Sequence, residues 1–365
     1  YSVGIIYGVI CNLPRNERFK LSNILTIALI PGPNESSLHY INHYLALIVD
    51  QLLELWNGIE LSGTYENTNK PIRAAVICCS CDIPAARKLC LCGYISVYVA
   101  CHRCLKKAQF NDQNQPNFGR FDNIDKWFVE RDINQVRKNA QEWLECKTKD
   151  AKSLHIRDIS VHWSEMYRLS YFDSVRFLII DPIHCLFLGI AKWIVLQLRT
   201  INTKRMQNRT KLIKVPADIG RIPYRIDTGE GFSGFTADQW KNFILVYATT
   251  ITWDLLRESD RAILANFVHA CDILVCRTIS INGLEEAHKW LLTMIKLIEQ
   301  NYGPEKISPN LHLYLHICHC ALDYGPLYAF WCFSYERMNG LLDKYNKNQF
   351  TFKYFHLLKT IIKTK

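Results

Sequence analysis

Residues 71–89 read PIRAAVICCSCDIPAARKL, and this stretch decides the fold class. As far as Asp82 it is a continuous apolar run, suited to a strand covered on both faces, as in parallel sheets flanked by helices. Asp82 stands at the carboxyl end of the run, where open α/β sheets hold their ligands. A helix starting near Pro84 follows, so Asp82 is equally placed to cap that helix. The residues alone leave both roles open.

Upstream, YSVGIIYGVICNL and SNILTIALIPGP are β-branched runs closed by Asn or Pro-Gly punctuation, which predicts two neighbouring strands. Residues 38–56 carry Tyr44, Leu45, Ile48, Leu52 and Leu55 at helical spacing, the mark of an amphipathic helix. Downstream, ISVYVA (residues 95–100) predicts a short strand leading into CHRC. Beyond Gly119 the strand signals nearly vanish. Helical periods run over residues 125–146 and 183–198 and again after Thr236, where TADQ offers a capping box between Thr236 and Gln239. Asn282-Gly283 and Tyr302-Gly303-Pro304 are expected to end two further helices. The expected organisation is an α/β core interrupted by a large all-α insertion. Residues 1–118 hold the first part of the core, 119–305 the insertion, 306–343 helices that close the core, and 344–365 a basic amphipathic tail.

The chain has 365 residues, 49% of them hydrophobic, enough for a substantial core, and a formal net charge of +10 that favours a polyanionic partner. No uninterrupted apolar run reaches membrane-spanning length and the first residues lack the basic region of a signal peptide, so a soluble intracellular protein with no membrane partner is expected. Fifteen cysteines would fit a disulfide framework in a secreted chain. Their placement in apolar runs such as AAVICCSCDIP and VHACDILVC argues instead for reduced thiols, a few of them ligands.

Cys101 and Cys104, two residues apart in CHRC, form the usual half of a zinc site, because a tight turn aims both sulfurs at one point. His312 and His316, at i and i+4 on one helical face, can supply the other half. Asp181 and His184 in DPIHCLFLG are a rival pair, and His319 and Cys320 are substitutes. Glu336 lies in FWCFSYERMNG, an aromatic stretch expected to be buried, where an unpaired carboxylate is costly and a functional one is favoured. The plainer alternative is a helix-surface acid paired with Arg337 or Lys344. Lys204, Arg205, Arg209, Lys211 and Lys214 form the densest positive cluster, either a solvated loop between helices or a loop that contacts phosphates. No HExxH motif, zinc-finger array or helix-turn-helix signature is present, which weakens an unrelated hydrolytic metalloenzyme.

NLPRNERFKLSNILTIALIPGP, IRAAVICCSCDIPAARKL, CHRC, YFDSVRFLIIDPIHCLFLGIAKW, FTADQW and PNLHLYLHICHCALDYGPLYAFWCFSYERMNGLL occur in an order that resembles the blocks of CACTA-type (En/Spm-like) transposases. The resemblance implies an RNase H-like core with an Asp-Asp-Glu/Asp triad that binds two Mg2+ or Mn2+ ions and cuts and joins transposon DNA in the nucleus, with room for a homo-oligomer. By motif, Asp82 in CDIPA would be the second acid and Glu336 in SYERMNG the third. A cysteine pair after the second acid and a histidine pair before the third are joined by structural Zn2+ in related recombinases, matching Cys101, Cys104, His312 and His316. The first acid of the family lies ahead of the segment that begins at Tyr1, so this chain is expected to be a fragment inactive by itself. The alternative is a transposon-derived, zinc-braced relic that binds DNA or a protein without catalysis. FTFKYFHLLKTIIKTK at the end departs from the family pattern.

Overall fold

The computed structural model describes residues 4–32, 38–60, 71–89, 98–113, 115–197, 203–214, 219, 226, 232 and 234–345. Most of these are helical, and the described strands form three separate two-stranded sheets. The strands are β1 Gly4–Gly8, β2 Leu25–Ile30, β3 Cys79–Cys81, β4 Gln109–Phe110, β5 Pro116–Asn117 and β6 Leu178–Ile180. The pairs are β1 with β2, β3 with β6 and β4 with β5. The result is a mixed α/β chain in which helices dominate.

The chain divides into two compact units, Tyr1–Gly4 with Ile30–Trp331, and Ile5–Leu29 with Cys332–Lys365. In the smaller unit, the Tyr7 hydroxyl donates to Asn339 Oδ1 at 2.8 Å and the Tyr7 ring stacks on Tyr335 with centroids 5.7 Å apart. These contacts fasten β1 to the helix Phe333–Tyr345, which carries Glu336 in its first turn. Glu336 is exposed, against the burial expected from its aromatic neighbours. Phe333, Ser334 and Tyr335 are half-buried while Glu336 and Arg337 face solvent, because a helix turns successive positions through different faces.

In the larger unit the amphipathic segment forms the helix Leu38–Asn57, with Leu45 and Val49 buried. The long apolar strand contracts to β3: residues 71–75 and 77 are exposed, and Cys79–Cys81 are only half-buried. An apolar run has the same composition whether or not both its faces are covered, and among the described residues β6 is the single strand beside β3. The pairing is parallel, with Cys79 opposite Leu178, Ser80 opposite Ile179 and Cys81 opposite Ile180. β6 therefore places a strand inside the segment expected to be entirely helical. Of the expected strand at residues 95–100, residues 95–97 lie outside the described residues and 98–100 are not strand.

The helical periods are realised as Ile133–Glu145, capped by Asp132, and as a wide π-type turn Ile183–Ala191 continuing into Lys192–Gln197. The capping box is present, with Thr236 accepting from the Gln239 N–H and the Gln239 side chain accepting from the Thr236 N–H. Asn282-Gly283 opens a helix instead of closing one: Ser280 accepts from the Gly283 N–H at 3.0 Å and the helix runs Ile281–Tyr302. It ends at Gly303, whose φ of 94° suits glycine. This helix packs against Glu258–Leu274, and the two bury Phe267, Leu274, Leu291, Met294 and Ile298 in the main core. A second cluster, including Val49, Val136, Phe172 and Leu178, sits around β3 and β6. No described helix is long and apolar enough to cross a membrane.

Candidate metal centre

Cys101 and Cys104 sit on a tight loop that three buried basic side chains hold in place. Arg131 donates from Nε to the Cys101 carbonyl at 2.9 Å and from an Nη to the Val99 carbonyl at 3.1 Å. Arg103 reaches the Arg176 carbonyl at 3.0 Å and pairs with Asp323 at 3.2 Å. The His102 Nε2 meets the Leu178 carbonyl at 3.0 Å, which ties the loop to the first residue of β6. Burial keeps His102 neutral, its pKa lowered to about 3 although the neighbouring Cys101 opposes that shift.

The histidines come from the opposite end of the sequence. Ser308 caps the helix Pro309–Tyr314, which carries His312, and His316 stands at the N-cap of the next helix, Ile317–Tyr324. The two are thus separated by a break at Leu315, not carried on one continuous helix as their spacing predicts. The break keeps both rings directed into the cluster. The ligand atoms of Cys101, Cys104, His312 and His316 all lie within 4.8 Å of one another, and all four residues are buried. Cys104 Sγ lies 3.1 Å from His312 Nε2. His312 packs between Phe118 and Trp127, with centroids 5.7 and 5.6 Å away, and Phe128 lies edge-on to His316 at 5.4 Å.

This donor set fits a tetrahedral zinc ion in its chemistry. Two sulfurs and two imidazole nitrogens are the composition zinc favours, and bond lengths near 2.3 and 2.1 Å require ligand atoms about 3.3–3.8 Å apart, within reach of small side-chain rotations. His316 Nε2 is buried and has no hydrogen-bond partner among the described residues. Such a nitrogen is costly unless something binds it. Burial raises the Cys101 thiol, but Cys104, His316 and His312 together outweigh it and leave Cys101 well below its usual value. Burial and Cys101 push Cys104 well above. The two thiols thus pull in opposite directions, and a cation bound between them would favour the thiolate form of both. Burial likewise lowers His312, leaving a neutral imidazole suited to ligation.

The other sequence-predicted residues fall elsewhere. Asp181 and His184 bond each other, Nδ1 to Oδ2 at 2.7 Å, and the Asp181 carboxylate also accepts from the His184 N–H at 3.0 Å. They are not members of the four-ligand cluster. Asp82 and Asp181 each follow the last paired residue of their strand, Cys81 and Ile180. Two carboxylates thus stand at the carboxyl ends of adjacent parallel strands, both close enough to Cys81 to help burial push its thiol up. Asp82 Oδ1 accepts from the Ala85 N–H at 2.8 Å, the capping contact of the helix Ile83–Leu89. Glu336 belongs to the other compact unit.

Part of the basic cluster is helical where a loop was expected: Thr203–Thr210 is a helix carrying Lys204, Arg205 and Arg209, with Met206 and Gln207 buried, and Lys211 and Lys214 lie beyond its end. Arg209 pairs with Asp254 at 2.5 Å and Arg205 lies 3.9 Å from the same carboxylate; Lys204, Arg205, Lys211 and Lys214 are exposed. Arg131 and the β6 anchor role of His102 escape sequence reasoning. Arg131 has no local signal because it acts on a loop 30 positions away.

Residues 1–156 match the family model described as transposase family tnp2. Over this span the chain is similar to a transposase. The matched region contains β3, Asp82, CHRC and Arg131. No curated protein and no solved structure matches the chain.

Proposed function

We propose that this chain is a transposase of the CACTA (En/Spm-like) type, in which Zn2+ held by Cys101, Cys104, His312 and His316 braces an RNase H-like catalytic region acting on DNA in the nucleus. The observation that carries the proposal is the convergence of CHRC with His312 and His316 into one buried four-ligand cluster, in a chain whose first 156 residues resemble transposases. The zinc is structural here: all four positions are protein ligands, leaving no open site for water or substrate. Its work is to fix the CHRC loop, and through His102 the β6 strand and its register with β3.

Asp82 and Glu336 are the proposed acids of a Mg2+- or Mn2+-dependent phosphoryl transfer. Bound divalent ions would activate the attacking oxygen and neutralise charge on the phosphate. Asp82 is suited to such a role by its position at a strand end, and Glu336 by its exposure. Lys204, Arg205, Lys211 and Lys214 supply exposed positive charge for phosphates, a contribution that is independent of sequence and weakens with salt.

A second reading, a zinc-braced DNA-binding protein without catalysis, is favoured by the Asp82 cap, since that contact already gives the carboxylate a structural task. A plasmid-nicking assay in Mn2+ separates the two. Nicking abolished by Asp82→Asn and retained by Cys276→Ala supports the transposase reading and overturns the expectation of a chain inactive by itself. Salt-dependent binding without nicking is expected both of such an inactive transposase fragment and of the second reading, and Mn2+ binding lost in Asp82→Asn then separates them. Neither binding nor nicking sinks both.

A further inference from the structure

We propose that His319 is the positioning residue that sets the tautomer of His316 and so makes its Nε2 the zinc-binding atom. The inference rests on reading the Cys101, Cys104, His312 and His316 cluster as a zinc site, and deepens that reading by naming a residue outside the ligand set.

The argument begins with two nitrogens that face each other. His316 Nδ1 lies 3.3 Å from His319 Nδ1. A contact between two ring nitrogens is favourable only if one carries the proton and the other offers its lone pair. If His319 donates, a neutral His316 ring carries its proton on Nε2, and Nε2 cannot ligate. If His316 donates, its proton sits on Nδ1 and the Nε2 lone pair is free for a metal. His316 Nε2 is buried without a hydrogen-bond partner among the described residues, so a bound cation would satisfy it if it carries the lone pair. The arrangement in which His319 Nδ1 accepts therefore satisfies both ends of the ring.

The local fold holds this contact. His316 is the N-cap of the helix Ile317–Tyr324, and His319 lies three positions further on, in the first turn, so both rings leave the same side of the helix start. Phe128 contacts both, at 5.4 Å from His316 and 6.2 Å from His319. His288, on the neighbouring helix Ile281–Tyr302, packs 5.8 Å from His319 and interacts with the backbone of Leu315, the residue at the break. Ligating histidines commonly hand their second N–H to a carboxylate or carbonyl, which fixes ring orientation. Here a neutral imidazole takes that place.

The test compares zinc affinity, by competition with a chromogenic chelator, for the wild-type chain, His319→Ala, His319→Gln and Cys104→Ala. His319→Ala is expected to bind zinc about 10–100-fold more weakly than wild type, with the thiolate-to-cobalt absorption of the Co2+ form retained. His319→Gln, which restores a carbonyl acceptor, is expected to recover much of the loss. Wild-type affinity in His319→Ala would overturn the inference while leaving the zinc site intact. A wild-type chain that takes up no zinc, and matches Cys104→Ala in this, would instead overturn the underlying site. Should His319→Ala fail to fold, nitrogen-15 NMR of the zinc-loaded wild type decides: a proton on His316 Nδ1 supports the assignment, and one on Nε2 defeats it.

Discussion

Cys104 Sγ and His312 Nε2 lie 3.1 Å apart although 208 positions separate them in the chain. Closing so long a loop costs conformational entropy that two buried polar atoms cannot repay by themselves. A shared ion can: a ligand present at about a hundred times its Kd adds roughly 2.7 kcal/mol to the folded state. The purified chain is therefore expected to carry one zinc per molecule and to melt at a lower temperature after chelation. Cys104→Ala and His312→Ala should both abolish the zinc and make the melting temperature insensitive to chelator. Metal analysis together with thermal melts checks this; a chelator effect that persists in Cys104→Ala would place the metal elsewhere.

Asp82 offers a substitution that separates its two roles. Asn is as good a helix cap as Asp, whereas Ala costs about 1 kcal/mol at such a position. Asp82→Asn is thus expected to change stability by less than about 0.5 kcal/mol and Asp82→Ala to lower it by about 1 kcal/mol, as read from urea titrations. If Asp82 also holds a catalytic cation, Mn2+ binding measured by electron paramagnetic resonance should fall in both variants alike. Mn2+ binding that survives in Asp82→Asn would leave only the cap.

Gly189 belongs to the π-type turn Ile183–Ala191 and sits where a Cβ would meet the Tyr314 hydroxyl and, at 2.7 Å, the His184 carbonyl. The helix Pro309–Tyr314 that carries His312 packs on this turn. Gly189→Ala should push that helix outward and destabilise the chain by about 2 kcal/mol, in the range of overpacked cores. Zinc affinity should fall with it, since His312 moves with its helix. A variant with unchanged urea midpoint and unchanged zinc affinity would show that the turn yields without disturbing the helix.

Much of this organisation is legible in the residues. The amphipathic spacing of Tyr44, Leu45, Ile48, Leu52 and Leu55 marks the helix Leu38–Asn57, and CHRC with the 312/316 spacing points, among its rivals, to the four residues that form the buried Cys/His cluster. The misreadings have local causes. β6 is three buried residues, Leu178–Ile180, between a four-residue helix and a π-type turn, too short for a period of two to separate it from helical apolar spacing. The exposed stretch before β3 has the composition of a buried strand, and composition does not report coverage. Asn282-Gly283 was legible only as punctuation, and Ser280 decides that it opens a helix. Glu336 drew an expectation of burial from its neighbours, but the helix directs it to solvent.

The buried thiols away from the metal cluster set the alkaline limit of the fold. Cys271 is fully buried, and burial, followed by the charge of Asp272, raises its pKa well above 9.0. Cys185 is raised in the same direction, first by burial and then by Asp181. In the unfolded chain such thiols ionise near their ordinary value, so above it the unfolded state binds fewer protons than the folded state. Stability then falls as pH rises. The contribution is fully present below pH 9.0 and is lost progressively above it, towards the folded-state values. Urea midpoints of the wild-type chain are expected to be insensitive to these two thiols between pH 7 and 8 and to decline above pH 9, with Cys271→Ala declining less steeply than wild type. Parallel slopes for wild type and Cys271→Ala would mean that Cys271 does not govern the loss. In the same window a thiol-alkylating reagent should label Cys276, which is exposed, well before Cys271 or Cys185. Labelling of Cys271 as fast as Cys276 with Cys185 still protected would show that the Glu258–Leu274 helix opens without global unfolding.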